Sequence, residues 1–217
     1  MADRDQPIER ANGLLLSLVC LIVFVVPLLP PGWHDRLYNV LLSAIFFAAV
    51  TAVKRHRRPM FVAAGIALVI EWMASAAHLP VVTAAGRVFY VLFFGVIVLG
   101  LIRQVARTRR VSRAVILESI NAYILLGFAF SLVVAVIMIY HPEAYSFPPP
   151  DTAAGHSFSQ FVYYAFVTFT TLGYGDVVPL VPYTKSLAIL TAIAGQLYVA
   201  VIIALLVGKY AGAAAEE

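Results

Sequence analysis

Charge is scarce in this chain. Of 217 residues, 12% are charged and 62% hydrophobic, where a soluble domain carries about a quarter charged and about half apolar residues. A soluble globular fold is excluded on that ground, and the mean hydropathy of +0.92 agrees. Cysteine is nearly absent as well. Cys20 stands alone, so no intrachain disulfide can form, and its place inside the apolar run from Leu14 to Leu29 makes it a small packing residue rather than a reactive thiol. The net charge of +4 does not point to nucleic acid, because the basic residues fall in short clusters between apolar stretches, the pattern of cytoplasmic loops in membrane proteins. Soluble domains, low-complexity tails and internal repeats are lacking too.

What is present is a series of apolar segments. Crossing about 30 Å of hydrocarbon at about 1.5 Å per residue takes a helix of roughly 17 to 25 residues. Such segments run over Leu14–Leu29, Leu37–Val53, Met60–Ala77, Val81–Ile102, Val115–Tyr140 and Pro182–Val207. The fold class they imply is an all-α membrane protein with six transmembrane helices. The first is read as a retained span: Arg4 and Arg10 precede it as in a secretory signal, but it ends in Pro27, Pro30 and Pro31 rather than in a small-residue cleavage site.

Basic residues orient the bundle, since cytoplasmic loops hold an excess of them. Arg4 and Arg10 lie before the first segment, Lys54, Arg55, Arg57 and Arg58 between the second and third, Arg103, Arg107, Arg109, Arg110 and Arg113 between the fourth and fifth, and Lys209 after the sixth, while Arg36, Arg87 and Lys185 fall on the other side. Both termini are therefore expected on the cytoplasmic side of the cell membrane. The resulting division is a cytoplasmic N-terminus over 1–13, a four-helix transmembrane domain over 14–102, a basic linker over 103–114, a second domain over 115–210 and a cytoplasmic tail over 211–217.

The second domain carries the chemistry. Between the fifth and sixth segments, after a proline-rich loop over 141–156, lies an apolar stretch from Ser157 to Thr170 that is too short to span and reads as re-entrant. Ser157 with Gln160 has the form of a capping box and predicts a helix start, and Gly173 and Gly175 mark where that helix has ended. Irregular backbone at membrane depth is tolerated only where it is buried in protein or lines a watery cavity. The loop Thr171-Leu172-Gly173-Tyr174-Gly175-Asp176 is therefore read as pore-lining. A dehydrated monovalent cation needs a stack of oxygens in place of its water. Backbone carbonyls form such a stack when alternate residues take positive φ, which Gly173 and Gly175 allow, and Thr171 adds a hydroxyl. Leu172 and Tyr174 are expected to face away into packing behind the loop, and Asp176 to concentrate cations at the outer mouth.

These residues resemble the tetrameric potassium channels, whose filter is usually written T-V/I-G-Y-G-D. The stretch from Gly195 to Val201, with Val111, Ser112 and Tyr123 to Gly127, is similar to small bacterial six-helix members that lack a regulatory domain. The resemblance implies a homotetramer in the lipid bilayer that passes potassium ions through a filter formed by residues 171–175. It divides 115–210 into an outer helix (115–140), an external loop (141–156), a pore helix (157–170), the filter (171–175) and an inner helix (182–210). The carbonyls of Thr171, Leu172, Gly173 and Tyr174 and the Thr171 hydroxyl would form successive potassium sites. Leu172 departs from the usual valine or isoleucine; the family uses that position's carbonyl, so selectivity is expected to survive. Gly195 looks like the inner-helix hinge. Tyr163 and Tyr164 replace two common tryptophans, so a hydroxyl is expected to brace the filter or Asp176, with Thr170 also in the filter's support. Val167 stands where some members carry a buried glutamate, which argues against a glutamate-based inactivation mechanism.

Other polar groups have narrower readings. Glu71, in the middle of the third segment, is costly there, and Arg87 in the fourth is its expected partner. Arg103, Arg107, Arg110 and Arg113 share one helical face, but Gln104, Thr108 and Ser112 lie between them. They read as an interfacial stripe contacting anionic lipid headgroups rather than a membrane-crossing sensor. Trp33, Trp72 and Tyr38 are expected as interface anchors. An enzyme or transporter would need a polar constellation inside the bundle, which Glu71 alone does not supply. A non-selective or voltage-dependent cation channel stays open as an alternative. From Val88 to Ile102 the fourth segment holds no basic residue, and one charge crossing the whole field is worth about 2.3 kcal/mol per 100 mV. Conductance against voltage in planar bilayers is therefore predicted to be shallow. A steep sigmoid that flattens when Arg103 and Arg107 are neutralised would overturn this.

Overall fold

The structure is a computed structural model that describes residues 6–52, 61–62, 65–66, 69, 80–108, 112–148 and 156–214. Helix α1 (Gln6–Cys20) passes into a π-helical turn (Leu21–Val25) and a 3-10 turn (Val26–Leu28). The first apolar segment is thus not one regular helix. Pro27 has no N–H to continue the ladder, and Leu29, ahead of Pro30, is extended at φ −84° and ψ 162°, as the residue before a proline tends to be. Helix α2 (Pro31–Ala52) returns alongside.

Helix α3 (Pro80–Arg107) continues past Ile102, so Arg103 and Arg107 sit on its last turns, both exposed. Helix α4 (Arg113–Tyr140) begins at Arg113 rather than at Val115. The third apolar segment lies mostly outside the described residues, as do Glu71, Arg110 and the Arg87 side chain. Among the described residues, Glu9–Leu28, Arg113–Tyr140 and Pro182–Tyr210 are each long and apolar enough to cross a membrane.

One apolar core joins α1 to α4. Phe46 of α2 stacks on Phe93 of α3 at 3.8 Å between ring centroids and meets Phe94 edge-on. Leu15, Ile22, Ile97, Leu101, Leu125 and Phe128 are fully or almost fully buried around them. Polar contacts in this core are few: Asn121 Nδ2 of α4 donates to the Asn12 carbonyl at 2.9 Å and to Asn12 Oδ1 at 3.1 Å. Water cannot reach these amides, so each such bond is made within the protein or not at all. Tyr38 corrects the sequence reading. It is buried, packing edge-on against Phe158, rather than anchored at an interface, whereas Trp33 is exposed.

A second, smaller core gathers Val134, Ala135, Met138, Tyr145, Phe161, Tyr164 and Val177. It seats helix α5 (Phe158–Phe169) against α4, and the chain then turns back through the loop at 170–176 into helix α6 (Pro182–Ala214). Two short antiparallel strands, β1 (Tyr145–Ser146) and β2 (Val178–Pro179), tie the chain after α4 to the chain after the loop. Leu180 N–H and the Thr184 hydroxyl both donate to the Ala144 carbonyl, at 2.9 and 3.2 Å. Entry to α5 and exit from the loop are held by the same few residues.

Helix α6 meets α5 at Gly195, which is buried in an unbroken helix. A Cβ there would overlap the Phe169 carbonyl oxygen and lie 2.9 Å from its carbon. Close approach of backbone to backbone accounts for this glycine. Gly208, on the same helix, has nothing within 4 Å of an added Cβ. Gly195→Ala is therefore predicted to destabilise the folded chain by about 1–3 kcal/mol, the usual cost of overpacking, and Gly208→Ala to be neutral or stabilising. Thermal unfolding of the two variants in detergent checks this; equal stability would show that the α5–α6 contact is looser than described.

Candidate functional site

Helix α5 ends where its sequence runs into Thr170 and Thr171, and its last carbonyls bind the N–H groups of the next residues in the chain. Thr170 N–H donates to the Phe166 carbonyl and Thr171 N–H to that of Thr168, each at 2.9 Å. The Val167 carbonyl receives two donors, Leu172 N–H at 2.9 Å and Gly173 N–H at 3.2 Å. The groups that a helix C-terminus leaves unsatisfied are thus used to pin the start of the loop.

Backbone dihedrals then alternate. Thr171, Gly173 and Gly175 have φ of 60°, 58° and 80°. Glycine enters that region freely, but a β-branched residue there is strained, by about 1–3 kcal/mol, and such strain persists only where its surroundings over-determine it. The two glycines stand where the sequence reading needs them. The strain at Thr171 is not foreseeable from its residue type. Its surroundings include α6: Gln196 Nε2 donates to the Thr171 hydroxyl oxygen at 3.1 Å.

Tyr163 is exposed on α5 and its hydroxyl donates to Asp176 Oδ2 at 2.7 Å, closing the loop at its far end. Hydrogen bonding to the carboxylate raises the phenol from the usual 10.0 to about 12. Tyr164 does something else. It is buried against Tyr145 and Phe147, with ring centroids 5.1 and 6.1 Å away, and so supports the chain around the β1–β2 pair. The Thr170 hydroxyl donates to the Phe166 carbonyl at 2.7 Å.

One expectation changes here. Ser157 occupies the N-cap position of α5 without capping it: its hydroxyl pairs with Ser159 at 2.7 Å, and Gln160 Oε1 pairs with His156 Nδ1 at 2.8 Å. The capping box does not form because both side chains have nearer partners. Leu172 and Tyr174 are 55% and 67% exposed in the single chain. Gly195 packs against the Phe169 carbonyl within the continuous helix α6.

Sequence reasoning passed over Glu118, which is completely buried near the start of α4. An ionisable group inside an apolar segment is the signal that could have found it. Beside it, Tyr198 of α6 donates to the Ser119 carbonyl at 2.7 Å. Among the described residues no group of three or more His, Cys, Asp or Glu is placed to hold a metal ion.

A family model described as an ion channel matches residues 123–211, from Tyr123 of α4 through α5, the loop and nearly all of α6. No curated protein and no solved structure matched the chain. The family match and the apolar helices support a membrane protein of ion-channel type and not an enzyme.

Because Tyr163 is held protonated by its acceptor, the Tyr163–Asp176 bond is present below the ordinary phenol pKa and is lost only as pH rises through about 12. Tyrosinate absorbance missing from a Tyr163→Phe variant is predicted to come from that high-pH end. Amide exchange over 171–177 is predicted to quicken in the same variant at neutral pH. Unchanged exchange would show that the bond does not hold the loop.

Proposed function

We propose that the chain is one subunit of a homotetrameric, potassium-selective channel of the cell membrane, passing potassium ions passively down their gradient. The alternating positive φ at Thr171, Gly173 and Gly175 is the observation that carries this reading. It lets successive carbonyls of Thr171, Leu172, Gly173 and Tyr174 point to one side as ligands, with the Thr171 hydroxyl at the inner end and Asp176 drawing cations at the outer end. The N–H groups at the start of the loop, by contrast, are spent on helix α5.

A single strand of oxygens is not a cage. Coordination that replaces a potassium ion's water needs about four such strands around an axis, and the exposed Leu172 and Tyr174 offer apolar surface for neighbouring copies. Helix α6 adds a long apolar face, with Ile189, Ile193, Leu197, Val201 and Val207 all at least half exposed, fit for contact with lipid and with other subunits. The α5 helix acts as the pore helix and α6 as the inner helix. Glu71 and Arg87 form an intramembrane ion pair in this reading, Gly195 is the point about which the inner helix bends, and exposed Arg103, Arg107 and Arg113 contact anionic headgroups where α3 meets α4.

Reconstituted protein between opposed KCl and NaCl tests the proposal. The reversal potential is predicted near the potassium equilibrium value, and a value near zero would make the channel non-selective. Gly173→Ala should abolish selective current with assembly retained, since a Cβ opposes the left-handed backbone. Thr171→Ala should be milder, because it removes a hydroxyl but no carbonyl. Equal tolerance of both variants would refute the filter assignment.

A further inference from the structure

Gln196 is a polar side chain on an otherwise apolar turn of α6, following the glycine that lets this helix touch the end of α5. That approach brings its carboxamide to the filter's innermost residue, where Nε2 lies 3.1 Å from Thr171 Oγ1. The recipient is also the strained residue of the loop, with φ of 60°. A hydroxyl oxygen has two lone pairs and one rotatable proton. Left alone, its proton can swing into the path of a cation. With one lone pair taken by an amide donor, the proton is barred from that direction and the other lone pair stays available to the ion.

We infer that Gln196 is a positioning residue that orients the Thr171 hydroxyl as an ion ligand and so sets cation affinity at the inner end of the pore. The inference rests on the filter assignment above. A neutral amide suits this role because it donates without adding positive charge that would repel the ion, and it is long enough to reach from the helix. The contact also explains how a β-branched residue holds a left-handed backbone at the point where the loop is pinned from α5 on one side and touched by α6 on the other.

Barium, a divalent ion close to potassium in size that binds oxygen ligands more tightly, serves as the probe. Block by barium from the inner side is measured on the reconstituted full chain. Gln196→Leu is predicted to weaken block by about 5-fold, the loss of one neutral hydrogen bond. Gln196→Asn, too short to reach, should match it although it keeps the amide. The two sites are then coupled. In a Thr171→Val background, where no hydroxyl remains, Gln196→Leu should change block by less than about 2-fold, and in a Thr171→Ser background the full loss should return. Should Thr171→Val fail to assemble, the Asn variant and the Ser background decide. Unchanged block in Gln196→Leu, or the same loss in all backgrounds, would overturn the positioning role while potassium current in the parent leaves the channel intact. A parent that passes no selective potassium current would instead remove the channel reading and this inference with it.

Discussion

The Val167 carbonyl, accepting both Leu172 N–H and Gly173 N–H, is the interaction on which the rest of the site depends. A helix that ends inside an apolar bundle must place its last carbonyls on some donor. Here the donors belong to the loop itself, so satisfying the helix end and shaping the loop are one event. The left-handed dihedrals at Thr171, Gly173 and Gly175 follow from that geometry. Each costs little at glycine and more at threonine. The strain at Thr171 is held by contacts from two helices that reach it from different parts of the chain.

Around this point the protein spends its few polar groups sparingly. Asn12 with Asn121, Tyr198 with the Ser119 carbonyl, and Tyr163 with Asp176 each join two separate elements. Lys209 of α6 donates to the Val105 and Ala106 carbonyls at the end of α3, filling acceptors that helix leaves open and setting a cation where the helix dipole favours one. In a medium without water, such bonds specify which helix lies against which far more sharply than apolar contact does. Apolar packing holds the bundle together and these bonds fix its arrangement.

Much of this was legible in the sequence because it is local. Gly173 and Gly175 announce positive φ by their type, and the length of the stretch 157–170 announces a helix that cannot span. The break after Cys20 was also readable from Pro27 and Pro30, but hydropathy averaged it into one segment. What stayed hidden depends on residues far apart in the chain. Nothing near Gln196 shows that it reaches Thr171, and Gly195 shows its reason only when Phe169 is placed beside it. Tyr38 resembles an interface tyrosine until Phe158 covers it. Ser157 and Gln160 have capping-box spacing, yet Ser159 and His156 compete for them, and spacing carries no information about such competition.

The central claim is that the loop's oxygens face a shared axis and hold dehydrated potassium. Imaging the detergent-purified protein in potassium chloride by electron cryomicroscopy tests it most directly. The account predicts four copies around one axis, residues 171–175 lining it, and a column of ion density between their carbonyls. A monomer or dimer, or an assembly in which this loop faces lipid with no density along the axis, would contradict it.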